Sequence, residues 1–173
     1  MHHEGAKMDL ILWRHAEAEV APEGGDDLSR PLTKKGEKQA AKMASWLDRN
    51  LPEGTRVLVS PSVRTQQTVA PLDRKFKLRD ELVPETSVAD VLALLKWHPE
   101  TGPQLKGSVL LVGHQPYLGQ LVAQLLEMKE ETCPVRKGGV WWLRSRFRDG
   151  QLQTVLLTVA CPELISNPWD DRS

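Results

Sequence analysis

The stretch Leu10-Ile11-Leu12-Trp13-Arg14-His15-Ala16 governs how the rest of the chain is read. Its first four residues are apolar without alternation. That pattern suits a strand buried on both faces, and such strands belong to parallel sheets covered by helices on either side. An arginine and a histidine follow at the point where the strand runs out. In open α/β sheets ligands lie beyond the carboxyl ends of the strands, so this is where chemistry is to be sought first.

Two further runs have the same character, Val57-Leu58-Val59 and Val109-Leu110-Leu111-Val112, and helical patterns lie between them. Ala40, Met43, Ala44 and Leu47 share one face of a helix opening near Thr33, a suitable N-cap. Ser60-Pro61 reads as a cap followed by a first-turn proline, opening a second helix. Ser87 opens a third, with Val88, Val91, Leu92 and Leu95 inward and Pro99 as its stop. Pro116 opens a fourth, with Leu118, Leu121, Val122 and Leu125 inward. Asp149-Gly150 is a turn pair between strands of about 140–147 and 152–159. The order is strand, helix, strand, helix, helix, strand, helix, hairpin. It predicts a three-layer α/β/α sandwich with a mainly parallel central sheet and a C-terminal β-hairpin. Residues 16–32 and 100–107 read as long loops, the first a candidate flap because it follows the first strand.

The chain is expected to form one domain over residues 8–162, with 1–7 a tag or frayed extension and 163–173 a loose tail. Of its 173 residues, 40% are hydrophobic and 27% charged, with 23 cationic and 23 acidic side chains. A balanced charge argues against a general nucleic-acid or membrane-surface binder, while leaving room for a local basic pocket. Cys133 and Cys161 are too few for a disulfide framework or a zinc site and read as reduced thiols. No apolar stretch is long enough to span a bilayer. A cytoplasmic monomer is the expectation.

Each strand end carries groups complementary to an anion. After the first come Arg14 and His15. After the second comes Arg64, in the first turns of a helix. After the third comes His114, just before a helix N-terminus. Singly, each reads as an ordinary surface residue, as His98 does at a helix end. Jointly they point to a site for phosphate or another anion. A phosphoryl group in transfer spreads negative charge over its equatorial oxygens, so catalysis is largely positioning and electrostatic stabilisation. Arginine offers paired hydrogen bonds to phosphate and stays charged, and a helix N-terminus adds N–H groups. A neutral imidazole is a good nucleophile near pH 7. His15 suits attack, and His114 suits donation to an equatorial oxygen.

These segments resemble the histidine phosphatase superfamily, also called phosphoglycerate-mutase-like. Leu12-Trp13-Arg14-His15-Ala16-Glu17-Ala18 resembles its Arg-His-Gly motif. Residues 30–40, from Arg30-Pro31-Leu32-Thr33 through Gly36 to Gln39-Ala40, resemble its Pro-Leu-Thr…Gly…Gln-Ala segment. Ser60-Pro61-Ser62-Val63-Arg64-Thr65-Gln66-Gln67-Thr68 resembles its Ser-Pro…Arg-Ala…Thr segment, and Val112-Gly113-His114-Gln115-Pro116 its Gly-His motif. The four occur in the family's order, across about residues 8–159. The short chain is most similar to the SixA branch, phosphatases acting on phosphohistidine in phosphorelay proteins. The resemblance implies that His15 accepts the phosphoryl group, that Arg14, Arg64 and His114 surround it, and that Arg30 adds a contact from the flap. It also implies that no metal or other cofactor takes part and that inorganic phosphate is released.

The sequence departs from the family pattern twice. Ala16 stands where glycine is usual, a change expected to be tolerated. No motif identifies a general acid among Glu17, Asp26, Asp27, Glu81 and Glu85, each of which reads as a solvated loop carboxylate. An imidazole leaves more readily than an alkoxide and depends less on such an acid, so its absence favours phosphohistidine. Two alternatives stay open: a small phosphatase for phosphoester metabolites or phosphoserine and phosphothreonine proteins, and a non-catalytic phosphate-binding module. Trp13 and Trp46 are expected in the core. Of the adjacent Trp141 and Trp142, one is expected to face outward, and Arg144, Arg146 and Arg148 to line the solvated face of their strand.

Overall fold

A computed structural model describes residues 7–98 and 100–165. The elements follow the expected order, with small additions. They are β1 (Lys7–Arg14), α1 (Lys34–Asn50), β2 (Arg56–Val59), α2 (Val63–Val69), β3 (Lys77–Leu78), α3 (Val88–Leu94), β4 (Trp97–His98), β5 (Gly102–Pro103), β6 (Gly107–Gly113), α4 (Tyr117–Leu125), β7 (Val140–Arg148) and β8 (Gln151–Ala160). Six strands form one sheet in the order β3-β2-β6-β1-β7-β8. β1, β2, β3 and β6 run parallel, and β7 pairs antiparallel with both β1 and β8. β4 and β5 form a separate antiparallel pair.

Alternate residues of the central strands serve two cores. Leu10, Leu12, Val109 and Leu111 point to the side where Leu118, Leu121 and Val122 of α4 and Val91 of α3 pack. Ile11, Trp13, Leu110 and Val112 point to the other, against Met43, Ala44 and Leu47 of α1. The unalternating apolar runs are thus explained by helices on both faces. The hairpin turn has Asp149 at φ 51° and Gly150 at φ 76°, the left-handed pair that a tight two-residue connection requires.

Several expectations need correction. The second helix is capped by Ser62, whose side chain accepts from Thr65 N, and not by Ser60, which is turned to another task. Helix α3 ends at Leu94, and Lys96 follows with a left-handed φ of 52°; Pro99, the expected stop, lies outside the described residues. His98 is in β4, with its Nδ1 accepting from Glu100 N at 3.2 Å, and β5 interrupts the expected loop at 100–107. Lys7 joins β1 opposite Arg146, so only residues 1–6 of the expected extension lie outside the described residues. Pro162–Leu164 make a short 3₁₀ turn and Ile165 packs on the core; the rest of the expected tail, 166–173, also lies outside. Neither adjacent tryptophan faces freely outward: Trp142 is in the core with Trp46 against it edge-on, and Trp141 packs on the opposite core.

Arg144 is the clearest departure from a solvated strand face. Its Nε and Nη2 donate to the buried carboxylate of Asp9 at 2.7 and 2.9 Å, and Trp142 Nε1 donates to the same group at 3.0 Å. Burial pushes the Asp9 carboxyl up, but these hydrogen bonds outweigh it and hold it below its ordinary value. Cys133 and Cys161 are unpaired. Among the described residues no helix is long and apolar enough to cross a membrane.

The loop after β1 is fastened to the start of α1. Thr33 N donates to Glu17 O at 3.0 Å, Thr33 Oγ1 donates to Glu17 Oε2 at 2.8 Å, and Gly36 N donates back to Thr33 Oγ1 at 2.9 Å. Glu17 N in turn donates to Gln39 Oε1 at 3.0 Å. Gly36 permits this approach, because a Cβ there would overlap the carbonyl oxygen of Glu17. Gly-to-Ala inside a helix ordinarily stabilises by roughly 0.5–1 kcal/mol. Gly36→Ala is expected to reverse that sign and cost about 1–3 kcal/mol through overpacking, read as a lowered denaturant midpoint.

Candidate active site

Three parallel strands end side by side, and the chain after each one supplies the site. β1 delivers Arg14 and His15. Backbone bonds lock them there: His15 N donates to Gly113 O at 3.1 Å, Gly138 N donates to His15 O at 3.0 Å, and Arg14 N donates to Gly139 O at 3.1 Å. Ala16 N donates to Thr68 Oγ1 at 3.0 Å, and that hydroxyl donates on to Arg64 O at 2.7 Å. One side chain therefore ties the backbone after His15 to the turn that bears Arg64. The Ala16 methyl is fully buried with Leu32 and Ala40, so alanine here fills a small core.

His15 is buried. Its Nδ1 lies 2.8 Å from the carbonyl oxygen of Ala16. A carbonyl only accepts, so Nδ1 carries the proton and Nε2 keeps a free lone pair. Burial, followed by the charges of Arg64, Arg14 and Arg30, pushes His15 down to about 4 despite the opposing pull of the Ala16 carbonyl. The ring is neutral at neutral pH.

The cations are held in fixed poses. Arg14 Nη1 donates to Val135 O at 2.9 Å. Arg64, with only 3% of its side chain exposed, donates from Nη1 and Nη2 to the backbone oxygen and carboxylate of Asp27 at 2.8 and 3.0 Å. Two buried donors, Nε of Arg14 and Nε of Arg64, have no acceptor among the described residues. Unmet buried donors cost about 1–3 kcal/mol each. Arg30, on the flap, donates from Nε to Asp27 Oδ1 and from Nη1 to Glu19 O, both at 2.9 Å.

His114 follows β6 at the entrance to α4. Its ring centroid is 5.3 Å from that of His15. Ser60 Oγ lies 2.8 Å from its Nε2, and Arg64 Nη2 lies 3.4 Å from its Nδ1. Burial, then the charge of Arg64, pushes His114 down to about 3. With Nε2 engaged by Ser60, Nδ1 is the atom turned to the arginine.

Arg14, His15, Arg30, Arg64 and His114 all line one cavity of about 390 Å³, shared with Asp27, Lys137, Pro84, Ala18 and Gln115. The residues named from sequence are therefore brought together. Of the five carboxylates considered, only Asp27 is in the cavity. Although 52% of its side chain is exposed and burial tends to raise it, the hydrogen bonds and charges of Arg64 and Arg30 hold it below its ordinary value. Asp26 caps the flap's 3₁₀ turn, Glu17 is bound by Thr33, and Glu81 pairs with Arg79. Glu85 is exposed and outside the cavity lining. Sequence reading missed Ser60, assigned to a cap, and Lys137, which has no motif around it. The i, i+3 spacing of Asp27 and Arg30 was the signal available for the flap pair.

This geometry offers a tetrahedral oxyanion guanidinium donors, two neutral imidazoles and a nitrogen lone pair. The family profile of the histidine phosphatase superfamily (branch 1) matches residues 10–87. The chain is 36% identical over 173 aligned residues to the phosphohistidine phosphatase SixA homolog of Haemophilus influenzae, covering 90% of this chain and 97% of that one. It is 35% identical over 121 residues to phosphohistidine phosphatase SixA of Escherichia coli K12, covering 68% and 74%. A solved structure of the protein histidine phosphatase SixA complexed with tungstate superposes with a TM-score of 0.70 at 27% identity, covering 90% of this chain and 97% of that one. With this fold and this convergence of residues, the chain belongs to the histidine phosphatase superfamily, in its SixA-type branch, and is a phosphatase.

Proposed function

We propose that this phosphatase removes the phosphoryl group from phosphohistidine in a protein, without a metal, by way of a phosphorylated His15. The observation that carries the reading is the His15 Nδ1 hydrogen bond to Ala16 O at 2.8 Å, which leaves Nε2 unprotonated in a cavity lined by arginines. Arg14 and Arg64, which line the cavity, hold the phosphoryl oxygens through their guanidinium groups. Arg30 adds charge from the flap, and His114 donates to an equatorial oxygen once Arg64 Nη2 turns from its Nδ1 to the phosphoryl group, Ser60 donates to its Nε2 and Nδ1 carries the proton. His15 Nε2 attacks phosphorus in line. The new P–N bond forms as the bond to the substrate imidazole breaks, and that ring leaves neutral when its other nitrogen is protonated. Water then attacks phospho-His15 and releases inorganic phosphate.

The leaving group is argued from the acids. Asp27 is the cavity's carboxylate, and two arginines keep it ionised, so it has no proton to give an alkoxide. An imidazole depends less on that proton. The names of the Haemophilus influenzae and Escherichia coli relatives support the same substrate class, and tungstate, bound in the solved structure, is a tetrahedral oxyanion like phosphate. A phosphoester substrate is the second reading, favoured only by the presence of Asp27 in the cavity.

Phosphate release from a phosphohistidine peptide and a matched phosphoserine peptide, both with chelator present, tests the reading. Phosphohistidine is expected to turn over faster, and His15→Ala to reduce the rate by at least about 10³-fold. Faster turnover of phosphoserine would move the assignment to a phosphoester phosphatase. Phosphate binding without turnover of either would leave a binding module.

The buried histidines also predict a pH dependence. Their folded values, about 4 for His15 and about 3 for His114, lie below the ordinary value near 6.5. The unfolded chain therefore binds more protons in this window, and stability rises with pH. Stability is expected to fall as pH drops from about 6.5 toward 4. His15→Asn is expected to flatten that slope in urea midpoints taken between about pH 7.5 and pH 5.

A further inference from the structure

A larger concavity lies away from the catalytic cavity. It is a groove of about 820 Å³ along the β3 edge of the sheet. Its floor is apolar, formed by Leu58, Val109, Leu94 and Leu105 with Phe76 at the side. Its rim carries six cations: Arg56, Arg74, Lys75, Lys77, Arg79 and Lys96. Arg74 is paired with Asp48 and Arg79 with Glu81; the other four have no ion pair among the described residues. In a chain whose cations and acids balance at 23 each, this is a strong local excess. β3 has only two residues and lies at the edge of the sheet, with its own Leu78 and the preceding Phe76 exposed.

The groove is continuous in the chain with the catalytic cavity. Lys75, Phe76, Lys77 and Arg79 line it, Arg79 N donates to Val59 O at 2.9 Å, and Pro84, five residues further on, lines the catalytic cavity. Val59 is followed directly by Ser60, the partner of His114.

We propose that this groove docks an acidic segment of the phosphorylated substrate protein, one that lays apolar side chains on the floor and carboxylates on the rim. The inference rests on the phosphohistidine-protein reading and goes beyond it by naming the surface and the chemistry of what it takes. The groove is not built as a trap for a free ion: its unpaired cations are exposed, and such rim charges steer and orient a partner more than they immobilise a small anion. Nor is it a strand-binding platform for nucleic acid, which would stack bases on several aromatics; among the described residues Phe76 is the groove's only one.

Two phosphohistidine peptides of equal length provide the test. One carries a neutral Gly/Ser extension, and the other an extension of Glu and Leu joined by the same flexible linker. The wild-type enzyme is expected to show a KM about tenfold lower for the acidic peptide, an advantage that fades with salt. Lys75→Glu/Lys77→Glu/Lys96→Glu is expected to erase the preference with kcat on the neutral peptide unchanged. A control with the same change in charge, Lys129→Glu/Arg146→Glu/Arg148→Glu, is expected to keep it. Equal KM values for the two peptides in the wild type, or loss of the preference in both variants, would overturn the docking surface while leaving the phosphohistidine reading standing. A single-stranded oligonucleotide competing as well as the acidic peptide would overturn it in favour of nucleic acid. Failure of the wild type to turn over either peptide would overturn the phosphohistidine reading and the docking surface with it.

Discussion

The hydrogen bond from His15 Nδ1 to the carbonyl of Ala16 is the interaction on which the pocket depends. It is local, within two adjacent residues, and would be weak if that carbonyl could wander. It cannot, because the flanking backbone is held on every side. Gly113 and Gly138 grip His15, Thr68 grips Ala16, and Thr33 and Gln39 grip Glu17. The segments that resemble family motifs are therefore mainly a clamp on the loop after β1. Thr33, Gly36 and Gln39 touch nothing in the cavity, yet they fix the tautomer of the residue that does.

Electrostatics reinforce that tautomer. A histidine among arginines has two ways to lower its energy, by staying neutral or by moving away. The backbone clamp removes the second, so burial and the neighbouring guanidinium groups keep both His15 and His114 neutral. The same arginines act in the opposite sense on Asp27, which they keep ionised. One set of cations thus sets both the lone pair on the nucleophile and the missing proton on the carboxylate, and on the proposed reading these select for a leaving group that needs little help.

Much of this was legible in the sequence, for a physical reason. Strands buried on both faces leave an unalternating apolar run, and ligands in such sheets gather at strand ends, so the convergence of Arg14, His15, Arg64 and His114 on one cavity is legible from their positions alone. What stayed hidden depends on partners distant in the chain. Ser60 next to Pro61 has the local signature of a helix cap, but its hydroxyl meets His114, 54 residues away. Arg144 alternates with Arg146 and Arg148 as a solvated face would, but Asp9, 135 residues away, draws it in. Asp27 resembled every other loop acid until the flap folded over Arg64.

The way the cations are held follows the same logic. Where the cavity demands fixed donors, the chain uses arginine: Arg14 and Arg64 are braced by Val135 and Asp27, and each keeps a buried Nε free of protein acceptors. A planar guanidinium can be braced through one edge while it presents another, which an ammonium cannot do. The groove along β3 mixes the two residue types, and there Arg56, Lys75, Lys77 and Lys96 are exposed and without an ion pair among the described residues, where a charge free to move suits, on the proposed reading, many poses of a partner at little desolvation. A pocket that must hold one phosphoryl group in line and a surface that must tolerate a flexible segment ask different things of positive charge, and the two regions of this chain differ in how firmly their cations are braced.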